Sequence, residues 1–429
     1  MRVALVNPPW TFEGSIYFGC REPHLALEYG YAKALLEGAG HDVLVVDAQL
    51  EGIGDGEVRE RLGRYRPEMT VLTTAPSYLF WRCAPPELRV PMATAKAIRD
   101  RAGILVVVGP HASTTPSPTL RKLGADLAVV GECEDVLVAL ASAPSREAGH
   151  ASVAWLDERG LQGSVEKHAT EMTQVPALRW PRGLLSKHAH HHHRFDRPAE
   201  GWGAEIEASR GCPYHCTFCA KDNFRNGFRK RPLDTVLAEL DGLISDGARY
   251  VYFIDEIFLP DRNLLEALVD RDVAFGVQLR IDNWTPDMLD LLGAAGCVSI
   301  EAGMESITRH GRSLLAKNCR LSTEELTERL IHAKRTIPFV QANLLDATCD
   351  TREEVQAWRA RLHEAGVWAN DPVPLFPYPG SPEFTLRFGP CEDDAWERAH
   401  AHYLGRFAEF SDVQDERPKR LCELEATHD

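Results

Sequence analysis

The chain of 429 residues has no apolar run long enough to concern a membrane. Its first hydrophobic stretch is only Val3–Val6, and Asn7-Pro8-Pro9 ends it. That is too short for a secretory core, and nothing downstream approaches the roughly 18 apolar residues that span a bilayer. A cytoplasmic protein with no membrane partner is therefore expected. Positive charge is also scarce: 48 Lys and Arg against 63 Asp and Glu leave a formal net charge of −15. Such a surface repels phosphate backbones, so no nucleic-acid partner is expected either. A disulfide framework is missing as well. The cysteines number eleven, an odd count, in a long chain with no visible leader, which is not the pattern of a stapled secreted domain. Finally, no G-x-G-x-x-G follows the first expected strand, so dinucleotide binding there is not expected. That strand runs instead into Asn7-Pro8-Pro9-Trp10, an extended turn whose prolines offer no N–H to a phosphate.

What is present is enough chain for about two to three domains, each able to bury its own core. Residues 1–143 alternate strand and helix. The expected strands are Arg2–Val6, Asp42–Val46, Met69–Thr73, Ile104–Val108 and Leu127–Val130, with a helix at Leu25–Leu36 stopped by Gly38 and Gly40. Strands alternating with helices imply parallel βαβ units, hence a doubly wound parallel sheet of Rossmann-like type. Ligands of such sheets sit beyond the carboxyl ends of the strands. Residues 144–200 lose this rhythm and read as a linker, with a small hairpin around Val153–Val165 and a histidine run, His190–His193, read as a solvated loop rather than a metal site. Residues 201–385 resume it. Expected strands at Ala204–Ala208, Tyr250–Ile254, Gly276–Ile281, Val298–Gly303, Phe339–Leu345 and Pro372–Phe376 make six βα units, an incomplete version of the closed parallel barrel. Residues 386–429 read as a small helical C-terminal cap. The fold class is α/β throughout.

Eight cysteines stand alone, at Cys20, Cys83, Cys133, Cys297, Cys319, Cys349, Cys391 and Cys422, and read as small packed hydrophobes. The other three are different. Ala208–Arg231 reads A-S-R-G-C-P-Y-H-C-T-F-C-A-K-D-N-F-R-N-G-F-R-K-R, so Cys212, Cys216 and Cys219 have C-x3-C-x2-C spacing just after an expected strand. A structural zinc site wants four ligands in a closed tetrahedron, and no second cysteine pair follows; His215 is the one neighbour able to complete it, in a cramped position. An iron–sulfur cube is normally held by four thiolates, and three leave one iron open. Cluster, zinc and chance packing are the alternatives, in that order.

At this point the sequence resembles the radical S-adenosylmethionine (SAM) superfamily, whose members carry C-x3-C-x2-C on the loop after the first barrel strand with an aromatic residue, here Phe218, before the third cysteine. The resemblance implies a [4Fe–4S] cluster on Cys212, Cys216 and Cys219. SAM would chelate the open iron and be cleaved by one electron to a 5′-deoxyadenosyl radical. It implies further SAM contacts: Asp255 or Glu256 in Y-V-Y-F-I-D-E-I-F, Arg280 in Q-L-R-I-D, and Glu301 with Gly303 in S-I-E-A-G-M-E-S. The stretch F-P-Y-P-G-S-P-E-F at Phe376–Phe384 is similar to the family's sixth-strand ending.

Residues 1–143 resemble the cobalamin-binding domain that precedes many such barrels. The carrying features are N-P-P at Asn7–Pro9, L-E-Y-G-Y-A-K-A-L-L-E-G-A-G-H-D-V at Leu27–Val43, V-V-V-G-P-H-A-S at Val106–Ser113 and V-V-G-E-C-E at Val129–Glu134. Implied cobalamin contacts are Pro8, Pro9, Thr73, Thr74, Ser77, Gly109, His111, Gly131 and Glu132, with Tyr78 and Trp81 toward the lower face. The motif D-x-H-x-x-G is absent, which leaves the lower axial position of cobalt unassigned. Together the resemblances imply a cobalamin-dependent radical SAM enzyme, acting on a small-molecule substrate and fed by a one-electron donor such as flavodoxin or ferredoxin. Its implied reaction is methyl transfer from methylcobalamin to carbon. The alternatives are radical cyclisation or rearrangement without methyl transfer, a barrel beside an empty first domain, and a non-catalytic iron–sulfur or zinc scaffold. His310, His332, His363 and Tyr378 are candidate substrate contacts that read more readily as surface or core residues.

Overall fold

The computed structural model describes all residues except 18, 20, 77–82, 144–149, 190–200, 226, 347–348, 408–416 and 427–429. The first sheet comprises β1 (Arg2–Asn7), β2 (Asp42–Asp47), β3 (Met69–Thr73), β4 (Ile104–Val108), β5 (Leu127–Val129), β6 (Val153–Asp157) and β7 (Gly160–Gly163). Their order is β2-β1-β3-β4-β5-β6-β7. The first five are parallel, and β6 and β7 are added antiparallel at one edge. The parallel strands are apolar on both faces because helices cover both. Val3, Leu5, Val71, Val106 and Val108 enter one core, while their neighbours Ala4, Val6, Leu72, Leu105 and Val107 enter another, the period of two that a pleated strand dictates. The helix Leu27–Gly38 stops as its sequence implies. Gly40 takes φ +83°, and His41 N–H closes back on Leu36 O at 3.0 Å, the left-handed glycine cap.

The stretch read as a linker is partly sheet: Val153–Gly163 forms the hairpin β6–β7 and extends the first sheet. The His190–His193 run falls outside the described residues.

The second sheet comprises β8 (Trp202–Ile206), then, beyond a short ribbon of β9 (Ser209–Arg210) and β10 (Arg229–Lys230), β11 (Ala248–Phe253), β12 (Ala274–Leu279), β13 (Cys297–Glu305), β14 (Phe339–Asp346), β15 (Trp368–Ala369) and β16 (Val373–Pro374). Its order is β15-β14-β13-β12-β11-β8, with β16 pairing β14, and every pair is parallel. This is the open partial barrel expected from the sequence. Its sixth strand is shorter than expected because Pro372 and Pro374 remove ladder donors.

The barrel's inside is polar. On β13 and β14 the residues Ile300, Ala302, Met304, Val340, Ala342 and Leu344 pack outward under the helices, so the alternate residues Glu301, Gly303, Glu305, Gln341 and Asn343 face inward, each only half-buried. One apolar cluster spans the two sheets, running from Val3 and Val108 through Phe224 to Tyr250, Tyr252, Phe376 and Trp396. The C-terminal helix Ala395–Arg406, read as a cap, lies against the first sheet's helices. Trp396 Nε1 donates to Thr115 Oγ1 at 3.2 Å, and Lys122 pairs with both Glu397 and Glu425.

Candidate functional site

The three cysteines ride on a loop that begins one turn beyond β8 and is framed by the β9–β10 ribbon, a local element the sequence reading did not contain. Gly211, at φ +80°, is the hinge of this frame: a Cβ there would sit 1.9 Å from Gly227 O, so only glycine permits the two legs to approach so closely. Both acids after β11 tie the loop down. Asp255 accepts from Ala208 N–H at 2.9 Å and from the Ser209 hydroxyl. Glu256 accepts from Gly211 N–H at 2.6 Å and pairs with Arg225. Burial pushes Asp255 up to about 7 despite those two donors. Expected as SAM contacts, both carboxylates are thus engaged with the backbone that carries the cysteines.

The Cys212, Cys216 and Cys219 thiols are half-buried, and Cys219 N–H turns back onto Cys216 O at 3.2 Å. Burial raises the Cys212 and Cys216 thiols above their usual range; Lys221 and Arg280 pull against this at Cys212, Lys317 and Arg280 at Cys216. Two thiols hard to ionise on their own, with cations beside them, suit a metal centre whose own charge strips their protons. A lone zinc ion fits less well. His215, its possible fourth ligand, points to solvent with 73% of its side chain exposed, near Asp222.

Beside the loop stands Arg280. It makes a two-pronged contact with Asp282 at 3.1 and 2.8 Å, donates to Lys317 O at 2.5 Å, and lies 3.9 Å over the Tyr214 ring. Its Nη1 is buried with no partner, as is Nδ2 of Asn283, whose Oδ1 holds the Tyr214 hydroxyl at 2.7 Å. Two buried unpartnered N–H donors next to the thiols are the chemistry of a site awaiting an anionic or carbonyl oxygen. Deeper in the barrel Glu301 accepts from Tyr252 Oη at 3.1 Å and Gln278 Nε2 at 3.3 Å, and Gly303 O accepts from Lys317 Nζ at 2.7 Å.

The first sheet presents its strand ends to the same region: the helix Pro110–Thr114 after β4 packs against Lys221–Asn223, just past Cys219. Thr74 Oγ1 caps Val108 O at 2.9 Å and Thr73 Oγ1 caps Ala75 O at 2.7 Å. Gly109 (φ +104°) and Gly131 (φ +92°) are buried just past β4 and β5, where a side chain would strike Thr74 and the His168 backbone. Pro8 and Pro9 form the turn after β1, closed by Trp10 N–H to Pro8 O at 3.0 Å. Ser77, Tyr78 and Trp81 fall outside the described residues. His111 is buried against Trp396, ring centroids 4.0 Å apart, and burial holds it down to about 3, so it is neutral.

Glu132 is engaged in a feature the sequence did not announce. It meets Arg210 at 2.8 Å and also pairs with Arg229; Arg210 in turn holds Glu134 and Glu207, each at 2.8 Å, with every one of these side chains except Arg229 fully buried. This network joins the loop after β5 to the residue two before Cys212. Arg225, Arg231 and Glu239 extend it, Arg231 meeting Glu239 at 2.8 Å. The signal was visible only as the arginine-rich run around the cysteines. His310, His332 and His363 are not drawn to the thiols; His332 pairs with Asp290 at 2.8 Å and His363 stacks on Trp368. Tyr378 is half-buried beside Phe376 and Trp396.

Residues 206–348 match the family model described as Radical SAM superfamily; this part of the chain is a radical SAM domain. Over longer spans the chain is 22% identical to an uncharacterized methyltransferase of Pyrococcus horikoshii, covering 89% of this chain and 82% of that protein. It is also 22% identical to the anaerobic magnesium-protoporphyrin IX monomethyl ester cyclase of Rubrivivax gelatinosus, covering 82% of this chain and 64% of that one. Its fold is that of the radical SAM methyltransferase TsrM of Kitasatospora setae, solved with cobalamin and a [4Fe–4S] cluster bound. The match has a TM-score of 0.69 at 20% identity and covers 89% of this chain and 73% of that one.

Proposed function

We propose that this radical SAM enzyme is a cobalamin-dependent methyltransferase acting on a carbon of a small molecule. The observation that carries the reading is three half-buried thiols on one loop beyond β8, followed directly by Lys221–Asn223, which pack against the helix after β4 of the doubly wound sheet. When bound, the cluster and SAM supply a 5′-deoxyadenosyl radical, and cobalamin supplies the methyl group.

The chain's own residues hold and orient. Cys212, Cys216 and Cys219 would grip three corners of a [4Fe–4S] cube. Asp255 and Glu256 fix the loop that carries them, through Ala208, Ser209 and Gly211. Arg280 Nη1 and Asn283 Nδ2 are donors for a SAM oxygen, with Glu301 and Gly303 toward the ribose. Thr73, Thr74, Gly109 and Gly131 form the cobalamin cradle, with Pro8 and Pro9 at its edge. Glu132 fixes the cradle to the cluster loop through Arg210, and neutral His111 packs beneath it. The polar inner wall, with Gln278, Gln341 and Asn343, receives the substrate. The chain's domains run over 1–143, 144–200, 201–385 and 386–429, the second segment adding β6–β7 to the first sheet. The protein is soluble and cytoplasmic and takes its electron from a flavodoxin or ferredoxin; among the described residues no helix is long and apolar enough to cross a membrane.

The test is anaerobic reconstitution with iron, sulfide and cobalamin. Expected are cluster iron and sulfide, corrin absorbance that survives desalting, and reductive SAM cleavage to 5′-deoxyadenosine. A substrate found for the enzyme should gain one methylene in mass. Cleavage without corrin would remove the cobalamin half of the reading, a product of unchanged mass would favour cyclisation, and absence of iron would remove all of it.

A further inference from the structure

Four described non-glycine residues have positive φ, and three of them surround one buried lysine: Glu305 at +58°, Ala316 at +52° and Asn318 at +52° flank or face Lys317. L side chains rarely adopt this conformation, and where it persists the surrounding structure enforces it, most often at functional sites. Two further features converge on the same spot. The β13–β14 register shifts between Gly303 and Glu305, a bulge of the kind that re-aims a side chain beside an active site. Gly303 leaves room for the result, since a Cβ there would lie 2.4 Å from Glu305 Oε1. The outcome is a Lys317 ammonium, its side chain only 3% exposed, held by Gly303 O at 2.7 Å and by the Glu305 carboxylate.

This lysine is tied to the cysteine loop twice. Thr217 N–H, the residue after Cys216, donates to Leu315 O at 3.0 Å. Arg280 joins Lys317 O to the Tyr214 ring. Its charge also reaches Cys216, where it opposes the upward push of burial on the thiol. An ammonium fixed in this way, buried and paired with Glu305, is an electrostatic device rather than a surface salt bridge.

We propose that Lys317 and Glu305 are positioning residues that set the reduction potential of the iron–sulfur cluster, the lysine favouring and the glutamate opposing the electron that the cluster accepts. The inference rests on the cluster reading above. One electron from an external low-potential donor enters the oxidised cluster, whose charge falls by one, and no bond or proton is exchanged. A nearby buried cation stabilises that added negative charge because water does not screen it.

The experiment is a dithionite and redox-dye titration of the reconstituted full-length protein without SAM, followed by the reduced cluster's electron paramagnetic resonance signal. At the potential where the wild type is half reduced, Lys317→Met should lower the reduced-to-oxidised ratio at least tenfold, a shift of 59 mV for one electron. Iron and sulfide content should be unchanged, Lys317→Arg should titrate with the wild type, and Glu305→Gln should raise the ratio. A fully loaded Lys317→Met protein titrating with the wild type overturns the proposal. If Lys317→Met loads no cluster, Glu305→Gln decides: an unmoved or lowered ratio overturns it. A wild-type protein without iron instead refutes the underlying cluster reading.

Discussion

Replacing Arg210 by Met tests the junction between the two sheets. The guanidinium reaches Glu132, Glu134 and Glu207, each at 2.8 Å and each fully buried. Removing one partner of a buried ion pair costs about 3–5 kcal/mol because the other charge is left uncompensated, and here three carboxylates share the loss. Arg229 and Arg225 remain to compensate Glu132 and Glu207 in part, so the lower end of that range is the expected cost. The pH dependence carries the sharper signature. In the wild type burial would raise Glu207, but Arg210, Arg225 and Arg231 together hold it below its ordinary 4.5. A depressed carboxyl contributes stability that is present above that ordinary value and is lost as pH falls through the lowered one. Without Arg210 only Arg225 and Arg231 oppose burial at Glu207, and its folded-state value rises. The variant should then lose more stability than the wild type as pH climbs from 5 to 8. Urea unfolding of the metal-free chain at several pH values is the assay, with a midpoint drop of about 1 M at pH 8 and a smaller one at pH 5. A loss under about 1 kcal/mol that is flat with pH would mean the network does not carry the junction.

Cys216→Ala should leave the fold intact but abolish both stable iron loading and reductive SAM cleavage; measured iron and 5′-deoxyadenosine report on each separately. Gly211→Ala places a Cβ against Gly227 O at a φ of +80°, so it should open the cysteine loop and lower iron retention at a cost of about 1–3 kcal/mol; retention equal to wild type would show the frame to be dispensable. His168 pairs with Asp135 at 2.7 Å. The Asp135 hydrogen bond raises the imidazole above its usual 6.5, while at Asp135 burial is outweighed by His168, which holds the carboxyl below 3.8. The histidine's contribution is complete below 6.5 and fades as pH rises through its raised value, and the aspartate's fades in acid, so a His168→Gln protein should lose the alkaline decline in melting temperature.

Much of the fold was legible because it depends on local pattern. Five apolar runs with glycine-stopped helices between them predict the strands of the first sheet to within a residue or so, since strands covered on both faces must be apolar throughout. The sixth barrel strand is shorter than its sequence pattern predicts because Pro372 and Pro374 interrupt the ladder within an apolar run. The β9–β10 ribbon and the attachment of β6–β7 depend on which backbone edges meet in space, and no period in the sequence encodes that.

The site divides along the same line. Cys212, Cys216 and Cys219 were legible because one metal centre needs its ligands close in sequence on one loop. Asp255 and Glu256 were found as acids at a strand end, a correct sign of importance, but an acid there can face a ligand or hold the neighbouring backbone, and only the hydrogen bonds from Ala208, Ser209 and Gly211 distinguish the two. Lys317 carried no signal at all. It lies in an ordinary-looking A-K-N, and its significance comes from a bulge on β13 and two left-handed neighbours. Conformational strain is a property of the folded chain opposing local preference, so a reading built on local preference passes over the residues that strain holds in place. Such residues are the ones to seek in the structure first, because a fold keeps an unfavourable backbone only where something else depends on it.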